Sequence, residues 1–223
     1  MPASRPRTLT LDLDGTLLNT LPDLAASANG MLRELGLPEH SESAITAFIG
    51  QGVTDLVMRC LPAEKSADAI FLAESLHIFR HYYARENGRR TMIYPGVLEG
   101  LHAWKTAGVP MAVITNKTAA FTEPLLIATG LAAFFDLILS GDSLPEKKPH
   151  PLPLLHACQK FGVAPFDNLH IGDSLHDAAA ARAAGCPIWL VNYGYSSEAP
   201  VQSIDCDAIV ATLAEAAQRM LKS

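Results

Sequence analysis

Two aspartates at alternate positions, Asp12 and Asp14, follow an apolar run that is typical of a β-strand. Because alternate side chains of a strand point the same way, both carboxylates enter one small space where the strand ends. Like charges this close favour either a bound divalent cation or a proton on one of the pair. Gly15 permits a sharp turn, and Thr16 offers a hydroxyl and an N–H to an anion. The group is therefore suited to metal-assisted or acid–base chemistry.

A Ca²⁺ loop or a polar turn can also use the pattern Asp-x-Asp-Gly. A Ca²⁺ loop needs further oxygen ligands that end in a Glu, and the apolar pair Leu17-Leu18 interrupts that pattern. A polar turn stays open as an interpretation of this segment alone.

Further polar groups follow other short apolar runs. Thr115 and Asn116 end one run, Lys148 lies in a proline-containing turn after a second, and Asp173 and Asp177 follow a third. Strand termination and helix capping would explain Thr115, Asn116 and Asp173, and a surface charge would explain Lys148. Each group is a weak signal alone, but each falls where a parallel strand would end, and open α/β sheets bind their ligands there.

The elements that would position these groups alternate between strand and helix. Short apolar runs rich in β-branched residues each precede a helical pattern; they cover 8–13, 110–115, 137–140, 169–171, 187–191 and 208–210. This alternation predicts an α/β fold with a doubly wound, mainly parallel sheet and a Rossmann-like core.

Between the first strand and the second the sequence is almost entirely helical in pattern. Helices are predicted over 21–37, from Ser41 onward, and over 63–85, and the segment 94–97 marks the return to the sheet. We therefore predict an α/β core formed by 1–16 and 92–223. A helical insertion, 17–91, leaves directly after the aspartate turn and is placed to lie over it. The resemblance described below identifies this insertion with a cap domain.

Composition narrows the class of protein. The chain has 223 residues, 49% of them hydrophobic, and a formal net charge of −6 without a run of Lys and Arg, so a nucleic-acid partner is not expected. No signal-type or membrane-spanning apolar stretch is evident. The scattered cysteines fit free thiols in a reducing compartment, and we expect a soluble cytoplasmic protein; they are Cys60, Cys158, Cys186 and Cys206.

In this order the polar groups resemble the signature of the haloacid dehalogenase-like hydrolase superfamily. The matching motifs are Asp-x-Asp-Gly-Thr, a strand-end Thr, a Lys before Pro, and Gly-Asp-Ser-x-x-Asp. Within the superfamily the chain is similar to the phosphoglycolate phosphatase branch, and the resemblance covers essentially the whole chain. The segments that carry it are 20–24, 49–53, 94–97, 115–117, 141–144, 148–151 and 193–195.

The resemblance implies a Mg²⁺-dependent phosphatase. Asp12 would attack phosphorus to form an aspartyl-phosphate, and Asp14 would act as general acid and then general base. The resemblance also implies that Mg²⁺ is held by the Asp12 carboxylate, the Asp14 backbone carbonyl and Asp173. The presence of Asp14 argues against a dehalogenase, which does not need an acid for its leaving group.

The resemblance further implies that Thr115, Asn116 and Lys148 bind the transferred phosphate. Lys148 is preferred to Lys147 because the family's lysine directly precedes a proline. Asp177 would orient Lys148 or a metal-bound water.

The cap loop Gly50-Gln51-Gly52 would meet the other end of the substrate, although a simple helix–helix turn explains it equally well. Asn19 departs from the family, where Asp is common. Its amide keeps the hydrogen-bonding geometry, which leaves a hinge role open and makes an acidic role doubtful.

The substrate that this resemblance favours is a small phosphate monoester, 2-phosphoglycolate, with glycolate and phosphate as products. A pyrophosphatase, a sugar-phosphate phosphatase and an inactive regulatory or binding module are the alternatives. A membrane partner is not expected, and the chain could be a monomer or a homodimer.

Overall fold

A computed structural model describes residues 6–195 and 200–222. Among these residues, six parallel strands form one sheet: β1 (Thr8–Leu11), β4 (Met111–Ile114), β5 (Leu137–Leu139), β6 (Asn168–Gly172), β7 (Ile188–Val191) and β8 (Ala208–Val210). Their order in the sheet is β5-β4-β1-β6-β7-β8. The prediction of a doubly wound parallel sheet is confirmed.

Strand β1 lies at the centre of the sheet. Leu11 is in register with Val113 of β4 on one side and with Ile171 of β6 on the other. All residues of β1, β4 and β6 are buried, as expected for strands that are covered on both faces. Because the strands are parallel, Asp12, Thr115 and Asp173 follow them at one edge of the sheet.

Helices cover both faces of the sheet. One apolar cluster packs α6 (Val97–Thr106), α7 (Ala119–Ala128) and α10 (Leu213–Lys222) against the strands, and another packs α8 (Leu152–Phe161) and α9 (Leu175–Ala184) against them. The second cluster contains the alanines of α9, whose small side chains permit close packing. Such double coverage buries the apolar strands on both sides.

The segment between β1 and β4 folds largely into helices with an apolar cluster of their own. The helices are α1 (Leu21–Glu34), α2 (Glu42–Thr46), α3 (Val53–Cys60), α4 (Ala63–Ser66) and α5 (Ala69–Glu86). We call this group the cap helices. Their cluster also contains Phe121, which belongs to α7.

Two helix predictions need correction. The single helix predicted over 63–85 is wrong, because Asp68 accepts hydrogen bonds from the N–H groups of Ile70 and Phe71 and so begins a separate helix. The helix predicted over 21–37 ends at Glu34. The predicted start at Ser41 is confirmed, since Ser41 Oγ accepts from the Ala44 N–H.

The two ends of the helical segment meet in a short antiparallel pair. Strand β2 (Leu18–Asn19) pairs with β3 (Met92–Ile93), which places the entry and the exit side by side. Nearby, the buried carboxylate of Asp23 accepts hydrogen bonds from the N–H groups of Gly88, Arg90 and Thr91. The sequence did not reveal this pair, because two-residue strands are too short to show periodicity.

Candidate active site

One cavity lies between the sheet edge and the cap helices. Core residues predicted to carry chemistry line it: Asp12, Asp14, Thr115, Asn116, Lys148 and Asp173. The cap helices and their loops contribute a mostly apolar wall: Leu24, Ile49, Gly50, Gly52, Val53, Leu56 and Tyr83. The structure therefore brings together side chains that lie far apart in the sequence.

Lys148 links two buried carboxylates. Its Nζ lies 2.7 Å from Asp12 Oδ1 and 2.6 Å from Asp177 Oδ1. Burial opposes the charge on Lys148, but the two carboxylates outweigh burial and raise its pKa. Burial raises the pKa of Asp12 to about 7, although Lys148 opposes the shift. Lys148 is held as a fixed cation beside Asp12.

Asp177 contacts Lys148 and also stabilises the start of a helix. Its Oδ1 also lies 3.1 Å from His170 Nε2, and its Oδ2 accepts from the Ser174 N–H at 3.1 Å in a capping box that starts α9. Burial raises the pKa of Asp177, but Lys148 and His170 together outweigh burial and lower it. Asp177 thus contacts Lys148 directly, and its role in orienting Lys148 stays a prediction.

Asp173 is enclosed by backbone and side-chain donors. Its Oδ1 accepts from the Thr16 hydroxyl at 3.0 Å, and its Oδ2 accepts from the Tyr195 N–H at 2.7 Å. Gly15 has a φ of +89°, and a Cβ there would collide with the Asp173 carboxylate. Burial, with Asp177 and Asp12 nearby, raises the pKa of Asp173 well above its usual range. The sequence did not reveal the contact with Tyr195.

The carboxylates form a candidate cation site. Oxygen atoms of Asp12, Asp173 and Asp177 lie within 4.8 Å of one another, and all three residues are buried. Lys148 supplies one positive charge among these three carboxylates, and burial lowers the pKa of the adjacent His170, which favours its neutral form. Hard oxygen ligands and excess negative charge fit a divalent cation.

Asp14 makes a contact that the sequence did not predict. Lys117 Nζ lies 3.1 Å from Asp14 Oδ1 and 3.2 Å from Oδ2, and it also contacts the Tyr83 hydroxyl of α5. Lys117 directly follows Thr115 and Asn116. Its position next to these strand-end residues could therefore have indicated that it belongs to the site. Tyr83 gave no such signal, because its role depends on how the cap helices lie on the core.

Asn116 and Lys147 connect the core to the loop Gly50-Gln51-Gly52. Asn116 Nδ2 donates to the carbonyls of Gly50 and Lys148, both at 2.9 Å. Lys147 Nζ donates to the Gln51 carbonyl at 2.6 Å. The side-chain N–H groups of Asn116 are thereby engaged, while its Oδ1 has no hydrogen-bond partner among the described residues. Phosphate binding by Asn116 and Thr115 stays a prediction.

Asn19 lies at the entry to the cap helices. Its Oδ1 accepts from the Tyr195 hydroxyl at 2.8 Å and from the Leu21 N–H at 3.3 Å. The Tyr195 hydroxyl in turn accepts from the Thr20 N–H at 2.6 Å. An amide oxygen serves here as well as a carboxylate oxygen would, so the substitution of Asp by Asn keeps the contact.

The sequence model of the haloacid dehalogenase-like hydrolase family matches residues 9–191. The chain belongs to this family. Members with similar sequences include a phosphoglycolate phosphatase of Thiobacillus denitrificans, 51% identical over 97% of this chain and 96% of that protein. Another phosphoglycolate phosphatase, from Nitrosospira multiformis, is 47% identical with the same coverage of both chains.

Solved structures of the family have the same fold. A crystal structure described as a predicted phosphoglycolate phosphatase from Haemophilus somnus superposes with a TM-score of 0.92 and 37% identity, covering 97% of this chain and 98% of that one. The present chain therefore has the fold that the sequence predicts, an α/β core with a helical cap. In the part of the chain that the structure describes, no helix is long and apolar enough to cross a membrane.

Proposed function

We propose that this haloacid dehalogenase-like hydrolase is a Mg²⁺-dependent phosphatase that converts 2-phosphoglycolate to glycolate and phosphate. The observation that carries the proposal is the arrangement of Asp12, Asp14 and Lys148 around one cavity. The relatives with similar sequences named phosphoglycolate phosphatase, which match over nearly the whole chain, support the substrate.

In the first step, a carboxylate oxygen of Asp12 forms a bond to phosphorus while the bond between phosphorus and the glycolate oxygen breaks. Asp14 donates a proton to that departing oxygen. In the second step, a water oxygen bonds to phosphorus, the bond from Asp12 breaks, and Asp14 accepts the proton of the water. Phosphate leaves, and both aspartates return to their starting states.

Fixed charges support both steps. Lys148 faces the position of the phosphoryl oxygens from beside Asp12, and Thr115 offers its hydroxyl from the end of β4. Asp12, Asp173 and the backbone carbonyl of Asp14 would hold Mg²⁺, in keeping with the cluster of buried carboxylates. When bound, Mg²⁺ neutralises charge on Asp12 and on the phosphate.

The cap limits what can react. We propose that residues 17–91 form the cap and that 1–16 with 92–223 form the core. Residues 1–5, 196–199 and 223 lie outside the described part of the chain. The apolar wall from α1 and α3 excludes water from the phosphorylated aspartate until the cap opens. In this proposal the loop Gly50-Gln51-Gly52, which lies against the core, faces the glycolate end of the substrate.

The test is a comparison of Mg²⁺-dependent kcat/KM values for 2-phosphoglycolate, pyrophosphate, a hexose phosphate and a nucleotide. We expect 2-phosphoglycolate to be preferred by well over tenfold. A preference below about tenfold, roughly 1.4 kcal/mol, would make the substrate assignment too narrow. Absence of Mg²⁺-dependent phosphate release from every compound would overturn the phosphatase itself.

A further inference from the structure

Lys117 occupies an unusual position beside Asp14. The side chain of Lys117 is 2% exposed, and that of Asp14 is 15% exposed. An ammonium group has three donors, and the neighbours of Lys117 Nζ are both Asp14 oxygens and the Tyr83 hydroxyl. The three acceptors match the three donors, so no donor is left for phosphate or for a substrate carboxylate.

The Tyr83 hydroxyl, on the cap helix α5, contacts the Lys117 ammonium. Its ring is buried among aromatic side chains, 5.5 Å from the centroid of Phe79 and 4.7 Å from that of Phe121. Phe79 belongs to the cap helix α5, whereas Phe121 belongs to the core helix α7. Tyr83 therefore sits where the cap meets the core, and its hydroxyl reaches Lys117 only when the two are together.

We propose that Lys117 is a positioning residue that holds Asp14 for proton transfer, and that Tyr83 makes this arrangement depend on the seated cap. The inference rests on the proposed function, which gives Asp14 the role of acid and base. An unrestrained carboxylate samples several rotamers, and an ammonium that contacts both of its oxygens restricts them. The proton-transfer group is then fully assembled when the cap encloses the substrate.

The first test uses Lys117→Met, which keeps most of the unbranched side chain and removes its charge. Three small substrates separate the possible roles: 2-phosphoglycolate, ethyl phosphate, and acetyl phosphate. The first two release strongly basic alkoxides that need a proton, whereas acetyl phosphate releases acetate, which needs none. We expect kcat/KM to fall about 100-fold for both alkyl phosphates and less than about threefold for acetyl phosphate.

A second readout comes from kcat on acetyl phosphate. Hydrolysis of the aspartyl-phosphate needs Asp14 as a base whatever group has left. In Lys117→Met, kcat and KM for acetyl phosphate should therefore fall together, and the phosphorylated enzyme should accumulate in quenched samples. A purely structural role for Lys117 would not divide the substrates in this way.

Tyr83→Phe tests the link to the cap. Loss of the hydroxyl should lower kcat/KM about fivefold for both alkyl phosphates and change it little for acetyl phosphate. The size of this effect is in line with the loss of one hydrogen bond. Tyr82→Phe is the matched control, because Tyr82 precedes Tyr83 on α5 and contacts Gly30 instead of the site. Lys160→Met, on the exposed side of α8, is the matched control for the lysine.

The outcomes separate this inference from the proposed function. Equal loss on all three substrates, or no loss on any, would overturn the positioning role. Loss confined to 2-phosphoglycolate, with ethyl phosphate unaffected, would also overturn it and would make Lys117 a receptor for the carboxylate. If Asp14→Asn leaves wild-type activity on 2-phosphoglycolate, the proposed function itself fails. Thermal melting of each variant identifies any that do not fold.

Discussion

The two sides of the cavity are built differently. On the core side, charged groups are buried and linked by short ion pairs, as in Lys148 between Asp12 and Asp177. On the cap side, the wall is mostly apolar, and the loop around Gln51 meets the core through backbone carbonyls. The core side is therefore suited to chemistry common to all phosphate esters, and the cap side to closure and selection.

This difference has an energetic basis. Charges fixed in a buried site act strongly on a transition state, because little water screens them. A partly exposed hydrogen bond between Lys147 and a loop carbonyl contributes far less, since water can replace it. Variants of the core side should reduce kcat by orders of magnitude, and variants of the contacts made by the loop around Gln51 should change KM by small factors.

Asp12→Asn should have the largest effect. Asn keeps the shape of Asp12 but cannot form the phosphorylated intermediate, so kcat should fall on the order of 10⁴-fold or more. Phosphate release measures the loss, and circular dichroism confirms the fold. Asp205→Asn, at an exposed ion pair with Arg182, is the control and should keep wild-type rates. Substantial Mg²⁺-dependent turnover by Asp12→Asn would contradict the assignment of the nucleophile.

Lys148→Ala should follow, with kcat lower by about 10²–10³-fold, which corresponds to roughly 3–4 kcal/mol. The variant also leaves Asp12 and Asp177 buried without their cation, so the free energy of unfolding should drop by about 3–5 kcal/mol. Steady-state kinetics and denaturant melts measure the two effects. A wild-type kcat would show that Lys148 has no part in the reaction.

Mg²⁺ affinity should depend on pH. The pKa of Asp12 is raised to about 7, so below that pH its carboxyl is mostly protonated and Mg²⁺ must displace the proton. Affinity should weaken by about tenfold per unit as the pH falls below 7 and should level off above about pH 8. Isothermal titration calorimetry measures this, and Asp12→Asn should make the dependence weaker, leaving the part that protonation of Asp173 contributes. A constant Kd across the range would contradict the prediction.

Lys147→Met should have the smallest effect. Lys147 is exposed and donates to the Gln51 carbonyl, so its loss should raise KM about threefold and leave kcat within about twofold. Lys160→Met serves again as the control. If Lys147→Met lowered kcat as strongly as Lys148→Ala, the division between the two sides of the cavity would not hold.

The core side could be predicted from the sequence because strand ends are visible there. Asp12, Thr115 and Asp173 each follow a buried apolar run, and parallel strands bring such ends to one edge. The resemblance to a known family then distinguished Lys148 from Lys147. No knowledge of packing between distant elements was needed.

The cap side could not be predicted in the same way. Tyr83 faces the cavity because α5 packs on α1 and α7 at a particular angle, and no local pattern encodes that angle. The break between α4 and α5 is not evident from the sequence, because Asp68 fits a continuous helical pattern. The sequence does not indicate the contact of Tyr195 with Asp173, because Tyr195 makes it through its backbone N–H and not through its side chain.

The pairing of β2 with β3 has a consequence for the history of such enzymes. Because the chain leaves the core and returns to it at neighbouring positions, the segment between can be lengthened, shortened or exchanged without stretching the sheet. A lineage can thus acquire a new substrate by replacing one continuous stretch of gene, while the residues that perform the reaction are inherited unchanged.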